Sequence, residues 1–273
     1  MSEVRIATPR GITLVGSLTL PAGAAPLAFE ATDPAAPTAE LPTRPEALVI
    51  LTHDFLTDRH GLEYRLDKLA RSYREAGFAT LSCDFSGLGE SDDDVITMAG
   101  EVEDLRAICG WATEHGFARQ AIHANGFSAT AALLAHPKQV ATAVLVGAIV
   151  GPQSILWEEI FSDEQLEELS SLGHTRLPDD MPNSRQWDII SKETLADVSL
   201  QSPEKTMADL PWPVLLINGA LTVEFPDATA AASEGFALLP DGSQLVQVNQ
   251  DTADAAHAEV ARLGIEWVSK RLR

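Results

Sequence analysis

The fold of this chain is decided by the stretch Gln120-Ala-Ile-His-Ala-Asn-Gly-Phe-Ser-Ala-Thr-Ala-Ala-Leu-Leu134. It predicts a short strand, a sharp turn at Ala124-Asn125-Gly126, and a helix built from small residues. Gly126 makes such a turn easier, because glycine has no Cβ and tolerates unusual backbone angles. The sequence therefore predicts a strand–turn–helix unit near the middle of the chain.

Strands and helices are predicted to alternate on both sides of this unit. Ala47–Thr52 is a continuous apolar run, typical of a strand buried on both faces of a parallel sheet. Apolar residues at helical spacing predict helices over Gly61–Ala76 and Thr97–His115. Alternation of this kind implies βαβ units and an α/β fold class. The other predicted elements are strands at Val4–Thr8, Thr13–Leu20, Phe78–Cys83, Thr142–Val146, Pro213–Asn218 and Gln244–Val248, and helices at Ala228–Leu238 and Ala255–Leu272.

Two segments break this rhythm. Residues 21–46 are rich in alanine and proline and predict an irregular surface loop, with a functional lid as the less favoured alternative. Residues 149–209 predict a small cap inserted over the carboxyl ends of the strands, which leaves 1–148 and 210–273 as the core. Within the cap, helices are predicted at 156–161, 164–172 and 187–198.

Composition excludes several classes of partner. A net charge of −21 over 273 residues argues against nucleic acids and anionic membranes as partners. No basic-then-apolar leader and no apolar run near 18 residues is found, so a soluble cytoplasmic protein is expected. Cys83 and Cys109 lack metal-ligand spacing and are interpreted as reduced, packed thiols, and no metal or cofactor is expected. His123, in the predicted central strand, is interpreted as a core histidine rather than a ligand-binding one.

Three further motifs occur in a telling order: His53-Asp54-Phe55 after a strand, Asp84-Phe-Ser-Gly-Leu-Gly-Glu-Ser91, and Pro213-Val-Leu-Leu-Ile-Asn-Gly219. With the strand–turn–helix unit they resemble the α/β-hydrolase superfamily, in particular its small esterases and serine-aminopeptidase-like enzymes. The resemblance covers nearly the whole chain. It implies a mostly parallel eight-stranded sheet with helices on both faces and a small helical cap.

In that family the strand-to-helix turn holds a nucleophile, which a histidine activates and a carboxylate orients in turn. Counting without a gap places Gly126 at the nucleophile position, which leaves no side chain there. A second register reads Gly126-Phe-Ser-Ala-Thr130 as G-x-S-x-T and makes Ser128 the nucleophile, at the expense of two extra residues in the strand. The first register is favoured and the second stays open.

The other two triad positions also depart from the family pattern. The resemblance places the acid at Thr222, with Glu224 and Asp227 nearby. It places the base near Thr252, and the next histidine is His257. Glu224 or Asp227, together with His257, would complete a triad only in the second register.

The loop after the third strand differs as well. Asp54 stands where the family has glycine, next to the backbone groups that bind the oxyanion. A carboxylate there either repels a developing oxyanion or turns away to cap the next turn, and the second orientation is slightly favoured. His53, Phe55, Asn125 and Phe127 are expected to surround the same pocket.

Because these positions depart together, the sequence favours a protein that keeps the fold but has lost serine-hydrolase chemistry. Such a protein would bind a small apolar or ester-like molecule between cap and sheet. An active hydrolase of small esters, amides or thioesters that uses Ser128 is the first alternative. An interaction or oligomerisation module, for example a homodimer through the apolar side chains and tryptophans of the cap, is the second.

Overall fold

A computed structural model of the chain describes residues 1–24, 46–221 and 228–272. Most of the predicted alanine- and proline-rich loop, 21–46, lies outside these residues. So do Thr222, Glu224 and Asp227, the positions expected to hold or flank the triad acid.

Strands and helices alternate along most of the described chain. The strands are β1 (Ser2–Ala7), β2 (Thr13–Thr19), β3 (Ala47–Thr52), β4 (Ala79–Cys83), β5 (Val95–Ile96), β6 (Arg119–Asn125), β7 (Val140–Val146), β8 (His174–Pro178), β9 (Trp187–Ser191), β10 (Val214–Asn218) and β11 (Gln244–Gln247). The helices are α1 (Arg65–Glu75), α2 (Met98–Glu114), α3 (Gly126–Ala135), α4 (Trp157–Ile160), α5 (Asp163–Leu172), α6 (Lys192–Ser199), α7 (Pro203–Met207), α8 (Ala228–Gly235) and α9 (Ala253–Leu272). Short 3-10 helices at Leu62–Tyr64 and Phe236–Leu238 precede α1 and follow α8.

An eight-stranded sheet forms the centre of the molecule, in the spatial order β1-β2-β4-β3-β6-β7-β10-β11. Strand β2 pairs antiparallel with both β1 and β4, and all the other neighbours in this sheet are parallel. Every residue of β3 is buried, as expected for a parallel strand covered on both faces. The predicted fold class, with its mostly parallel sheet of eight strands, is confirmed.

The helices cover both faces of this sheet. On one face α2 and α3 contribute Ile108 and Leu133 to a core that includes Ile122 of β6. On the other face α1 and α9 contribute Leu69 and Val260 to a second core. Successive side chains of a strand point to opposite faces of the sheet. Because Ile122 points to the α2–α3 side, its neighbour His123 points to the α1–α9 side.

The segment predicted as a helical cap contains strands as well as helices. Trp187–Ser191, predicted as the start of a helix, forms β9, which pairs antiparallel with β8 and parallel with β5. The prediction of a helix there is wrong because these residues alternate between exposed and buried positions, with Asp188 and Ile190 facing inward. The helix begins only at Lys192, where Ser191 Oγ accepts a hydrogen bond from Thr194 N at 3.2 Å. That 149–209 form a separate unit stays a prediction.

We expect Asp188 to make the stability of the three-stranded sheet β5-β9-β8 depend on pH. The side chain is buried in β9, and burial raises its pKa to about 7, with Asp179 and Asp180 adding to the rise and Arg185 opposing it. Stability that depends on the protonated carboxyl is complete below the unfolded pKa, about 4, and is lost as the pH rises through about 7. Replacing Asp188 with asparagine is therefore expected to raise the free energy of unfolding at pH 8 by on the order of 2 kcal/mol, and to change it little at pH 4.

Urea denaturation of both proteins at the two pH values measures this difference. Glu167→Gln, a change at an exposed position of α5, serves as the control and is expected to alter stability by less than about 0.5 kcal/mol at either pH. An equal effect of Asp188→Asn at pH 4 and pH 8 would show that the carboxyl is not the titrating group.

Candidate functional site

The strand-to-helix turn lies where the sequence predicts it. Strand β6 ends at Asn125, and α3 begins at Gly126. Gly126 has a φ of +54°, in the left-handed region that a residue with a side chain enters only at a cost. The backbone of this turn therefore requires glycine, or a residue held there under strain.

The carboxylate of Asp54 fills the space above this turn. A Cβ added to Gly126 would overlap Oδ1 and Cγ of Asp54, and it would lie 2.7 Å from Oδ2. The expectation that Asp54 turns away from the turn is wrong. A carboxylate from the loop after β3 occupies the volume in which a side chain at position 126 would begin.

Two backbone N–H groups hold this carboxylate. Phe127 N donates to Asp54 Oδ1 at 3.2 Å, and Phe55 N donates to the same oxygen at 2.7 Å. Phe127 follows Gly126, and Phe55 lies in the loop after β3. By position these are the two donors that the family resemblance assigns to the oxyanion. On that assignment, Asp54 Oδ1 lies at the position of the oxyanion.

The loop that carries Asp54 is fixed by further hydrogen bonds. His53 Nε2 accepts from Phe85 N at 3.1 Å, so Nδ1 carries the proton and donates to Asp54 O at 2.9 Å. Thr57 Oγ1 donates to the same backbone oxygen at 2.9 Å. His53 is almost fully buried, and both of its ring nitrogens are engaged. These contacts fix the position of the loop.

Ser128 lies inside the first turn of α3 and is fully buried. Its hydroxyl donates to His53 O at 2.6 Å and lies 3.1 Å from Asn125 O, while Thr52 Oγ1 is 2.7 Å away. All of these partners belong to the turn and to the end of β3. The described residues bring no histidine nitrogen to Ser128, and they do not bring it together with His257.

The residues near the expected base lie at the start of α9. Thr252 precedes the helix, and its Oγ1 accepts a hydrogen bond from Ala255 N at 3.2 Å. His257 is half-buried within α9, where burial lowers its pKa and the charges of Arg65 and Lys68 lower it further. A neutral imidazole at physiological pH follows from this environment.

A cavity of about 300 Å³ lies beneath the loop of Asp54, between α1 and α9. We call it the α1–α9 cavity. Four of the five residues expected to surround the pocket line it, namely His53, Asp54, Phe55 and Asn125. Phe127 is buried instead, with its ring 5.2 Å from that of Phe55. The remaining lining residues are Thr57, Gly61, Leu62, Arg65, Leu66, Leu69, His123, Leu221, His257 and Val260, so none comes from 149–209.

Two features of this site are not predicted by the sequence. His123 was interpreted as a core residue, yet it also lines the α1–α9 cavity. The contact between Asp54 and Gly126 is not predicted by the sequence, although both positions depart from the family pattern: one gains a carboxylate while the distant one lacks a side chain.

We also searched the described residues for metal sites, membrane-spanning helices and exposed apolar side chains. Among residues 1–24, 46–221 and 228–272 no group of three or more histidine, cysteine or acidic side chains could hold a metal ion. Within the same residues, no helix has both the length and the apolar character that a membrane crossing requires. The segment 149–209 exposes five large apolar side chains, Leu156, Ile160, Leu172, Trp187 and Leu200, and the oligomerisation hypothesis stays a prediction.

Comparison with known sequences gives a local match. No family model matches the chain. A segment of 67 residues is 39% identical to an uncharacterized 31.7 kDa protein of Escherichia coli encoded in the traX-finO intergenic region. The match covers 24% of this chain and 22% of that protein, so the chain spans about a fifth of the length of the curated relatives it matches.

Comparison with solved structures covers the whole chain. DcsB in complex with a substrate analogue aligns over 99% of both chains at 18% identity, with a TM-score of 0.71. Est1E of Butyrivibrio proteoclasticus, with ferulic acid bound, aligns over 97% of this chain and 99% of its own at 16% identity, with a TM-score of 0.66. The bottromycin epimerase BotH, in complex with bottromycin A2, aligns over 100% of both chains at 17% identity, with a TM-score of 0.58. The chain has the α/β-hydrolase fold, and the resemblance read from its motifs is confirmed at that level.

Proposed function

We propose that this protein uses the α/β-hydrolase fold for non-covalent binding of a small molecule and does not carry out serine-hydrolase chemistry. One observation carries the proposal. The carboxylate of Asp54 accepts hydrogen bonds from both Phe55 N and Phe127 N and takes the volume of a side chain at Gly126. Nucleophile and oxyanion would both have to occupy space that Asp54 already fills.

The position of the Asp54 carboxylate also opposes catalysis energetically. Removing a single oxyanion donor from a serine hydrolase costs about 10²–10³ in kcat, because the charge of the transition state is then left unstabilised. Here an anion occupies both donors, so a second negative charge beside it is repelled rather than stabilised. Loss of a nucleophile by itself costs more, on the order of 10⁶ in kcat, since triad residues act as a unit.

The alternative of an active hydrolase requires Ser128 Oγ within about 3 Å of a histidine nitrogen. The hydroxyl instead donates to His53 O and has no exposure to solvent. The fold itself does not argue for hydrolysis, because a single fold supports many functions. The α/β-hydrolase-like structure of BotH, for instance, is that of an epimerase.

A fluorophosphonate probe tests the proposal. We expect less than one-tenth of the protein to be labelled under conditions that label an active serine esterase completely, and hydrolysis of p-nitrophenyl butyrate at the rate of buffer alone. The Ser128→Ala variant is the matched control and is expected to behave in the same way. Stoichiometric labelling of one serine, absent from the Ser128→Ala variant, would overturn the proposal in favour of the hydrolase alternative.

A further inference from the structure

A polar group in the wall of the α1–α9 cavity is left unexplained by the proposed binding role. His123 is fully buried in β6 and belongs to the cavity wall. Its Nδ1 lies 2.8 Å from Tyr73 Oη, whereas its Nε2 has no hydrogen-bond partner among the described residues. Buried polar atoms of this kind are rare in native structures and require an explanation.

The orientation of the imidazole follows from its neighbours. The edge that carries Nδ1 and Cε1 faces α9, because a Cβ added to Gly264 would lie 3.1 Å from both atoms. Nδ1 of His123 forms a hydrogen bond with Tyr73 Oη of α1. Nε2 is therefore the ring nitrogen that neither helix pairs, on a residue that belongs to the cavity wall.

The protonation states of His123 and Tyr73 decide whether His123 Nε2 is a hydrogen-bond donor or an acceptor. Burial lowers the pKa of His123 to about 3, with a smaller contribution from His257, and burial raises the pKa of Tyr73, so both side chains are neutral at physiological pH. His123 is the only hydrogen-bond partner of the tyrosine hydroxyl among the described residues. If the hydroxyl donates to Nδ1, its own proton is satisfied and Nε2 carries the proton of the ring. Nε2 is then an unpaired donor on a residue of the cavity wall.

The remaining lining limits the ligand's charge. Much of the wall is apolar, with Leu66 and Val260 on its two helices. The Asp54 carboxylate on the wall disfavours an anion, and Arg65 disfavours a cation. A volume of about 300 Å³ is near the lower end for ligand pockets and corresponds to roughly ten water molecules.

We infer that the α1–α9 cavity binds a small, uncharged, mainly apolar molecule that presents one carbonyl or hydroxyl oxygen to His123 Nε2. The inference rests on the proposed non-covalent role and names the site and the ligand class for it. It places the ligand between α1 and α9, not under 149–209. Pairing a buried N–H with an acceptor recovers about 1–3 kcal/mol, which is at least a fivefold gain in affinity over a ligand without the oxygen.

Acetophenone and ethylbenzene test this inference, because they have a similar shape and differ in the carbonyl oxygen. Each is titrated into the full-length protein labelled with ¹⁵N-histidine, and the Nε2 resonance of His123 is followed by NMR. We expect a saturable shift with acetophenone, at least fivefold weaker binding of ethylbenzene, and weaker binding of the benzoate anion. The His123→Leu variant is expected to remove the preference for acetophenone over ethylbenzene.

A second variant tests the location without disturbing the core. Leu62 lines the cavity but its side chain is 52% exposed, so Leu62→Trp is expected to block the cavity and leave the fold intact. Leu172→Trp, at an exposed position of α5, is the matched control and should bind acetophenone as the unmodified protein does.

Three outcomes would overturn the inference: acetophenone at up to millimolar concentration does not shift the His123 resonance, ethylbenzene or benzoate binds equally well, or Leu62→Trp leaves the binding unchanged. Labelling of a serine by the fluorophosphonate probe would overturn the proposed function, whereas an unlabelled protein that does not bind acetophenone refutes the ligand inference alone.

Discussion

Replacing Gly126 with serine, which would place a hydroxyl at the position that the resemblance assigns to the nucleophile, is expected to lower the free energy of unfolding by about 3 kcal/mol or more. Two costs add. A residue with a Cβ is strained at a φ of +54° by about 1–2 kcal/mol. The new Cβ also overlaps the carboxylate of Asp54, which two backbone hydrogen bonds hold in place. Urea denaturation, with the slope m checked for constancy, measures the loss.

The overlap can be separated from the backbone strain by a double-mutant cycle. Asp54→Gly removes the obstructing carboxylate, and by itself should cost about 1–3 kcal/mol because the N–H groups of Phe55 and Phe127 lose their acceptor. In that background Gly126→Ser is expected to cost only the backbone strain. The interaction energy between positions 54 and 126 should therefore be at least about 1.5 kcal/mol.

Two other glycines provide controls. Gly77 has a φ of +93° and nothing within 4 Å of an added Cβ, so Gly77→Ser carries the backbone strain alone. Gly110, within α2, also has open space, and Gly110→Ser should be neutral or slightly stabilising. A loss for Gly126→Ser no greater than that for Gly77→Ser would mean that Asp54 moves aside freely, and the occupied oxyanion position would then be no obstacle to catalysis.

This coupling has a functional consequence. If positions 54 and 126 depend on each other, the proposed function implies that a serine at position 126 alone does not give hydrolysis, because the carboxylate that opposes its Cβ also accepts hydrogen bonds from Phe55 N and Phe127 N. The two departures from the family pattern, at positions 54 and 126, are then energetically coupled. They are not independent of each other.

Much of the fold could be predicted because its signals are local. The apolar run of β3 and the helical spacing of Leu66, Leu69 and Tyr73 in α1 are each visible in a short window, and all of these residues are buried. Leu62 has the same spacing but is exposed, because the chain at 62–64 forms a 3-10 helix with positive φ at Glu63. One turn of different backbone is enough to rotate a residue off the helix face.

The features that escaped prediction depend on contacts between distant residues. Strand β9 is stabilised by pairing with β5, more than 90 residues earlier in the chain, which no local pattern reveals. The direction of the Asp54 side chain depends on Phe127 N, 73 residues away. The role of His123 required the position of Tyr73, 50 residues away. A single sequence contains these residues but not the distances between them.

Replacing Asp84 with alanine is expected to lower the free energy of unfolding by about 3–5 kcal/mol. Asp84 is fully buried at the end of β4, where it forms an ion pair with Arg59 and accepts hydrogen bonds from Arg59 N at 2.6 Å and Glu90 N at 3.0 Å. Gly89 approaches so closely that an added Cβ would lie 2.5 Å from either carboxylate oxygen. Removal of the carboxylate leaves Arg59, itself nearly buried, without its buried counter-charge.

Glu90 provides the matched control, because it pairs with the same guanidinium from a side chain that is 46% exposed. Glu90→Ala should cost less than about 1 kcal/mol, since solvent screens an exposed pair. A loss for Asp84→Ala no larger than that for Glu90→Ala would contradict the importance of the buried pair. The two variants also test the candidate site, because Arg59 lies in the loop that follows β3 and contains Asp54. If Asp84 anchors that loop, Asp84→Ala should speed hydrogen exchange at Phe127 N, whose acceptor is Asp54, while Glu90→Ala should leave it unchanged.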